Sequence, residues 1–381
     1  MVLIKNSSIE NKKAKRRAHE MQHRQRKLYL DGMKGLASIS VMLGHYIGIY
    51  KYAGERAAIQ CGFMKFCTTF PFSAFMREEF WLYLFFVVSG YLVSASRVEG
   101  VVSALRKSAG RIVRFAIPIT GAAAIVVLLG KTLGFHNQEL RQLIENKWFF
   151  LSYREPVKWI DALLEVYKTL VQGKPYLIPP FWVMRDMLFS SLIIYAVQLL
   201  RSWLKRWTRR GTWIMILLPL TWVFFRENWT VFACLCGATG YFIQPWTDRL
   251  FKRSTVLRWV PTAILPVAYF LDVETIKSVV FTVWVLSASE NVVLKRIYSS
   301  KIPIWLGKVS LGVFSLHWSI YCSVGMLLFL KLYGNVSNSV VFAAVFGASI
   351  SITLAAALAF RETVEKLTAI ACAACERKPN G

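Results

Sequence analysis

Ala116-Ile-Pro-Ile-Thr-Gly-Ala-Ala-Ala-Ile-Val-Val-Leu-Leu-Gly130 carries no charged side chain from one end to the other. The run Trp213–Phe225 has the same character. A helix in water keeps a polar face, whereas an apolar stretch approaching the thickness of a bilayer reads as a membrane span. Composition points the same way. Of the 381 residues 55% are hydrophobic, and mean hydropathy is +0.43. That is more apolar surface than a soluble domain of this size buries. The expected fold is an all-α integral membrane protein.

About ten such helices can be marked along the chain. They lie near residues 30–50, 80–97, 111–131, 181–200, 212–226, 230–246, 258–272, 275–294, 303–331 and 337–360. The basic excess, 47 Lys and Arg against 21 Asp and Glu, gives a net charge of +26. It sits between the apolar runs rather than in a nucleic-acid motif, so no nucleic-acid partner is expected. Every second connection is rich in Lys or Arg. The first is the segment Lys5–Lys27, and Arg97–Arg114, Arg201–Arg210, Arg249–Arg258 and Lys295–Lys301 follow. Lys and Arg are retained on the cytoplasmic side during insertion, which places both termini inside.

The expected organisation is therefore a basic cytoplasmic arm (1–28), a membrane domain (29–360) and a short cytoplasmic tail (361–381). One connection, 131–180, is long and external. Its stretch Leu163–Val171 can form an amphipathic helix resting on the bilayer. The cell membrane, inner or plasma, is the expected location.

The seven cysteines do not make a secreted disulfide framework, although Cys61 and Cys67 share an external loop where a disulfide can form. Cys372-x-x-Cys375 lacks a second ligand pair, and no metal is expected.

Charges inside membrane spans are costly and need a reason. The first helix holds Asp31, Lys34 and His45. Lys34 and His45 are separated by just over three turns, so they lie within about 20° of each other and about 16 Å apart along the axis. The face they share points into a polar cavity, since lipid would not accept it. A lysine can hold phosphate, and a histidine can take a proton from a hydroxyl near neutral pH. The spacing suits an extended acyl-carrier thioester. Arg111 and Arg114, one turn apart, either belong to such a site or only mark the cytoplasmic side. Ser89-Gly90 can permit close helix packing. Arg185 and Asp186 either position an acceptor or pair with other buried groups. His317, in the ninth helix, reads as a satisfied polar core residue or a substrate contact.

Several of these pieces together resemble the acyltransferase-3 family of membrane-bound O-acyltransferases. They are Tyr29-Leu-Asp-Gly-Met-Lys-Gly-Leu-Ala37 running to Leu43-Gly-His-Tyr46, Phe85-Phe-Val-Val-Ser-Gly-Tyr-Leu92, Arg111-Ile-Val-Arg-Phe-Ala-Ile-Pro118 and Ser315-Leu-His-Trp318. The family's basic residue and following histidine fall on Lys34 and His45, and its Arg-x-x-Arg on Arg111 and Arg114. Phe181-Trp-Val-Met-Arg-Asp186 departs from the family's glutamate-containing pattern in that helix. The resemblance implies transfer of an acyl group, commonly acetyl from acetyl-CoA or another acyl-CoA, to a hydroxyl of a glycan or similar acceptor. It implies His45 as the catalytic residue and Lys34, Arg111 and Arg114 as donor-binding residues. Asp31, Ser89, Arg185, Asp186 and His317 are the further candidates for substrate contact.

Two other classes compete. A polytopic transporter or exporter also carries membrane-embedded charges, but inverted repeats are not visible. A non-catalytic scaffold leaves the pairing of Lys34 with His45 unexplained.

Overall fold

The computed structural model describes residues 28–50, 61–144, 146, 148–203, 225, 227–271 and 273–376. Its long elements are all helices, and no strand forms among the described residues. Helix α1 (28–50) has no exposed residue, as befits a helix apolar around most of its circumference. Its first half packs Tyr29, Leu30 and Met33 into a core with Phe86 and Ile119. Its second half packs Met42, Tyr46 and Tyr50 into a core with Trp318, Tyr321 and Phe342.

Around it stand α2 (Glu78–Ser94), α3 (Val101–Thr132), α4 (Trp182–Trp203), α5 (Trp229–Arg253), α6 (Thr255–Phe270), α7 (Glu274–Glu290), α8 (Lys301–Leu332) and α9 (Asn338–Glu376). Helix α2 packs against α4, α5 and α7, and α8 packs against α9. Glycines set the closest crossing: a Cβ on Gly90 would strike the Cys234 backbone, and one on Gly237 would strike that of Val87. Small residues at such crossings let helices approach where lipid supplies no hydrophobic drive. Gly307 meets Asp31 and His317 meets His45, so α1 and α8 run parallel. Gly312 meets Ala357 and Gly325 meets Ser349, so α9 returns antiparallel to α8.

Among the described residues, four helices are long and apolar enough to cross a membrane: Val101–Thr132, Pro179–Ser202, Lys301–Leu332 and Asn338–Glu376. A fifth is added if α7 and the helix Val292–Tyr298 count as one span bent by 96°. The others marked in the sequence are shorter, as in the 17 residues of α2, or more polar, as in α5 with Gln244 and Asp248. The helix expected at 212–226, the connection Lys205–Arg210 and the arm 1–27 lie outside the described residues, apart from Phe225.

Three boundaries differ from expectation for identifiable reasons. Helix α3 begins at Val101 rather than near 111, because Leu105, Arg106 and Lys107 are good helix formers. The basic connection before it is therefore largely helical. The helix expected at 275–294 stops at Glu290, where the Asn291 side chain caps a new helix by accepting from Val293 N at 3.1 Å and Leu294 N at 3.2 Å. The helix expected to end near 360 continues to Glu376 and packs along α3, with Cys372 Sγ donating to the Gly110 carbonyl at 3.3 Å. Residues 361–376 are thus part of the helical body.

The connection 131–180 is a packed cap. Asn137 Nδ2 donates to the carbonyls of Phe149 and Ser152, at 3.1 and 2.9 Å. Both Glu165 oxygens accept from the backbone N–H groups of Tyr176 and Leu177. The helix Trp159–Tyr167 exposes Trp159, Ile160, Leu163 and Tyr167. Cys61 and Cys67 are both free thiols.

Candidate functional site

Helix α1 is continuous from 28 to 50, so Lys34 and His45 keep the shared face read from their spacing. His45 is 9% exposed. Its Nδ1 lies 2.9 Å from Nε2 of His317, and Nδ1 of His317 lies 2.9 Å from the Val313 carbonyl oxygen. The two imidazoles are nearly parallel, at 12°, with centroids 5.1 Å apart. That separation fits rings joined edge to edge through the N···N contact. Tyr46, next to His45, donates from its hydroxyl to the His317 carbonyl at 3.1 Å and lies 3.3 Å from the Thr353 hydroxyl. Helices α1, α8 and α9 are thereby tied together beside the imidazole.

The cap closes the other side. Trp148 is 41% exposed, and its ring stacks on His45 with centroids 5.5 Å apart. Trp318 meets His45 edge-on at 5.8 Å, and its indole N–H donates to the Ser152 hydroxyl at 3.1 Å. Tyr153 reaches the Ser319 hydroxyl at 2.6 Å and donates to the Leu177 carbonyl at 2.8 Å. The π-helical turn Tyr321–Gly325 lies just beyond, and the Cys322 carbonyl accepts from His136 N at 2.9 Å. Such a turn disturbs the regular i→i−4 ladder.

The basic candidates are staggered. Lys34 Nζ pairs with Asp31 at 2.8 Å, and the Glu365 carboxylate is close enough to feel its charge. Arg111 is half-buried: Nε donates to Ser191 at 3.0 Å, Nη2 to Ser89 at 2.9 Å, and the guanidinium lies over Phe115. Tyr195, Arg114, Cys234 and Cys372 stand around it. Arg114 is exposed and interacts with Cys372.

Helix α9 serves as a ruler. Thr353 stands level with Tyr46, Glu365 with Lys34, and Cys372 with Gly110 and Arg114. At about 1.5 Å per residue, Lys34 lies about 16 Å from His45 along α1, and the arginines about 10 Å further along α9. Lys34, Arg111 and Arg114 are drawn out into a column rather than gathered at one level, with Arg111 ten residues into α3 (from Val101).

The remaining candidates, Arg185 and Asp186, make contacts between elements. Asp186 Oδ2 accepts from the Thr230 hydroxyl at 2.6 Å, tying α4 to α5. Arg185 is exposed and packs over Gly173 of the cap. Ser191 and Trp148 complete the site without any local motif to mark them. A serine within an apolar helix and one aromatic in an aromatic-rich loop gain meaning only from their neighbours.

The arrangement presents a buried imidazole near the C-terminal end of α1 and a column of cations beyond its N-terminal half. No curated protein and no solved structure matches the chain. The family model described as an acyltransferase domain, acyltransferase-3, matches residues 27–359. With the apolar helices, this match makes the protein a membrane acyltransferase: the chain belongs to the acyltransferase-3 family.

Proposed function

We propose that the protein is a membrane O-acyltransferase moving an acyl group, acetyl in the simplest case, from acyl-CoA to a hydroxyl of a glycan or similar acceptor. The observation that carries this reading is the placement of His45, a buried imidazole on the same helix face as Lys34, within a chain of an acyltransferase family. His45 takes the proton from the acceptor hydroxyl. The oxygen attacks the thioester carbonyl carbon, the C–S bond breaks, and the CoA thiolate leaves and recovers the proton from His45. Lys34 meets the nearer donor phosphates, and Arg111 with Arg114 the farther ones. Asp31 orients Lys34, and Ser89 orients Arg111.

The same reading includes about ten spans with both termini cytoplasmic. The parallel run of α1 and α8, and the antiparallel run of α9, support the relative order of those three helices. Donor enters from the cytoplasm, and the acceptor meets His45 beneath the cap. Topology is tested by single cysteines in a background with the native cysteines replaced. Leu163→Cys, at a site 69% exposed, is labelled from outside, while Lys205→Cys is not. The reverse pattern overturns the direction of transfer.

Purified protein in detergent or liposomes, given acetyl-CoA and a hydroxyl acceptor, releases free CoA. His45→Ala lowers that rate by at least about 10²-fold while insertion stays normal. A His45→Ala protein with wild-type turnover overturns the assignment. Flux of a substrate across liposomes without acylation favours an exporter instead. Among the described residues one pair is bent, at Asn291, and transporter folds use two matched broken helices.

A further inference from the structure

We infer that His317 is a positioning residue for His45: it fixes the tautomer in which Nε2 of His45 is the nitrogen free to accept a proton. The inference rests on the acyl-transfer reading above. It begins at the far end of the hydrogen-bond chain. The Val313 carbonyl oxygen can only accept, and Nδ1 of His317 lies 2.9 Å from it, so that nitrogen carries a proton. A neutral imidazole has one N–H, which leaves Nε2 of His317 with a lone pair. That lone pair faces Nδ1 of His45 at 2.9 Å, so Nδ1 of His45 is the donor. The proton of His45 is thereby assigned to Nδ1, and Nε2 is left bare. The opposite assignment sets the His317 Nδ1 lone pair against the Val313 carbonyl in a buried place, where opposed acceptors are costly.

Two further features make the chain rigid. His317 is fully buried, and its backbone carbonyl accepts from the Tyr46 hydroxyl, so the residues on either side of the contact are held together. Trp148 covers the opposite side of the His45 ring. Among the described residues no carboxylate hydrogen-bonds to either imidazole. A neutral histidine therefore does here what a buried carboxylate does in other histidine-dependent enzymes. It orients the base and, when His45 takes the hydroxyl proton, accepts a stronger hydrogen bond from the Nδ1–H of the cation formed.

The test compares wild type, His45→Ala, His317→Phe and His317→Gln as full-length purified proteins. The readout is free thiol released from acetyl-CoA with methyl glucopyranoside as acceptor, together with thermal unfolding. Phe keeps a ring of similar size but offers no lone pair to Nδ1–H, whereas the Gln side-chain oxygen offers one. His317→Phe is expected to lower kcat by about 10²-fold with donor KM within a few-fold of wild type. His317→Gln is expected to recover most of that loss. If His45→Ala is inactive while His317→Phe turns over at the wild-type rate, the positioning role is overturned and the acyl-transfer reading survives. Equal loss in the Phe and Gln variants also overturns it, because packing and not the hydrogen bond would then be at stake. Wild-type turnover in His45→Ala removes both readings together.

Discussion

Nδ1 of His45 and Nε2 of His317 are 2.9 Å apart, although 272 residues separate them along the chain. The parallel packing of α1 on α8 makes the contact. The two helices keep one register from Gly35 against Gly307 to His45 against His317. A shift of one residue in that register would turn one imidazole by about 100° and break the contact. The precision of the site therefore depends on the close crossing at the other end of the pair.

Trp148 covers His45, so its removal opens the imidazole to reagents. Trp148→Ala is expected to speed modification of His45 by diethyl pyrocarbonate several-fold, scored against His45→Ala by mass spectrometry. An unchanged rate would mean that the remaining cap residues, with Trp318 beside the ring, already seal the site.

The staggered cations predict a division of labour at the donor. Arg111→Ala, which also removes the guanidinium that donates to the Ser89 and Ser191 hydroxyls, should raise donor KM about tenfold or more with a smaller change in kcat. Dephospho-CoA thioesters, which lack the phosphate farthest from the acyl group, distinguish the levels. Arg114→Ala should narrow the preference for acetyl-CoA over its dephospho form, and Lys34→Ala should weaken both donors alike. Identical behaviour of the two variants would return the cations to a single cluster.

Glu165 holds the end of the cap through backbone bonds from Tyr176, Leu177 and Ile178, the last at 3.1 Å. Glu165→Ala leaves buried N–H groups without acceptors, at a cost of about 1–3 kcal/mol each at most. The expected signs are a lower Tm and faster proteolysis within 131–180. Glu165→Gln, with one acceptor oxygen in place of two, should fall between the alanine variant and wild type. A silent alanine variant would show that the cap is held by its aromatic contacts alone.

The glycine crossing of α2 and α5 gives a prediction with an internal control. Gly90→Ala forces a Cβ into the Cys234 backbone and should cost about 1–3 kcal/mol or more, seen as lost expression or a lowered Tm. Gly347→Ala places its Cβ in open space, with nothing within 4 Å, and should be neutral or slightly stabilising. Equal tolerance of both changes would show that α2 and α5 are free to separate.

Hydropathy and helical periodicity are local properties, and on them the sequence alone was sufficient. It marked the helical class, the first helix, the shared face of Lys34 and His45, and the long cap. Lys34 and His45 are legible because both belong to one regular helix, whose 3.6-residue turn converts spacing into geometry. The bend at Asn291 and the early start of α3 depended on a side-chain cap and on charged residues that are good helix formers, so hydropathy passed over them. His317 read as a core histidine or a substrate contact because nothing within its own helix names a partner. Only the packing of α1 on α8 made it the neighbour of His45, and only the fold of the cap brought Trp148 to the same ring. Contacts between segments hundreds of residues apart are set by which helix faces are small enough to meet, as at Gly307 and Asp31, and that choice belongs to the tertiary structure.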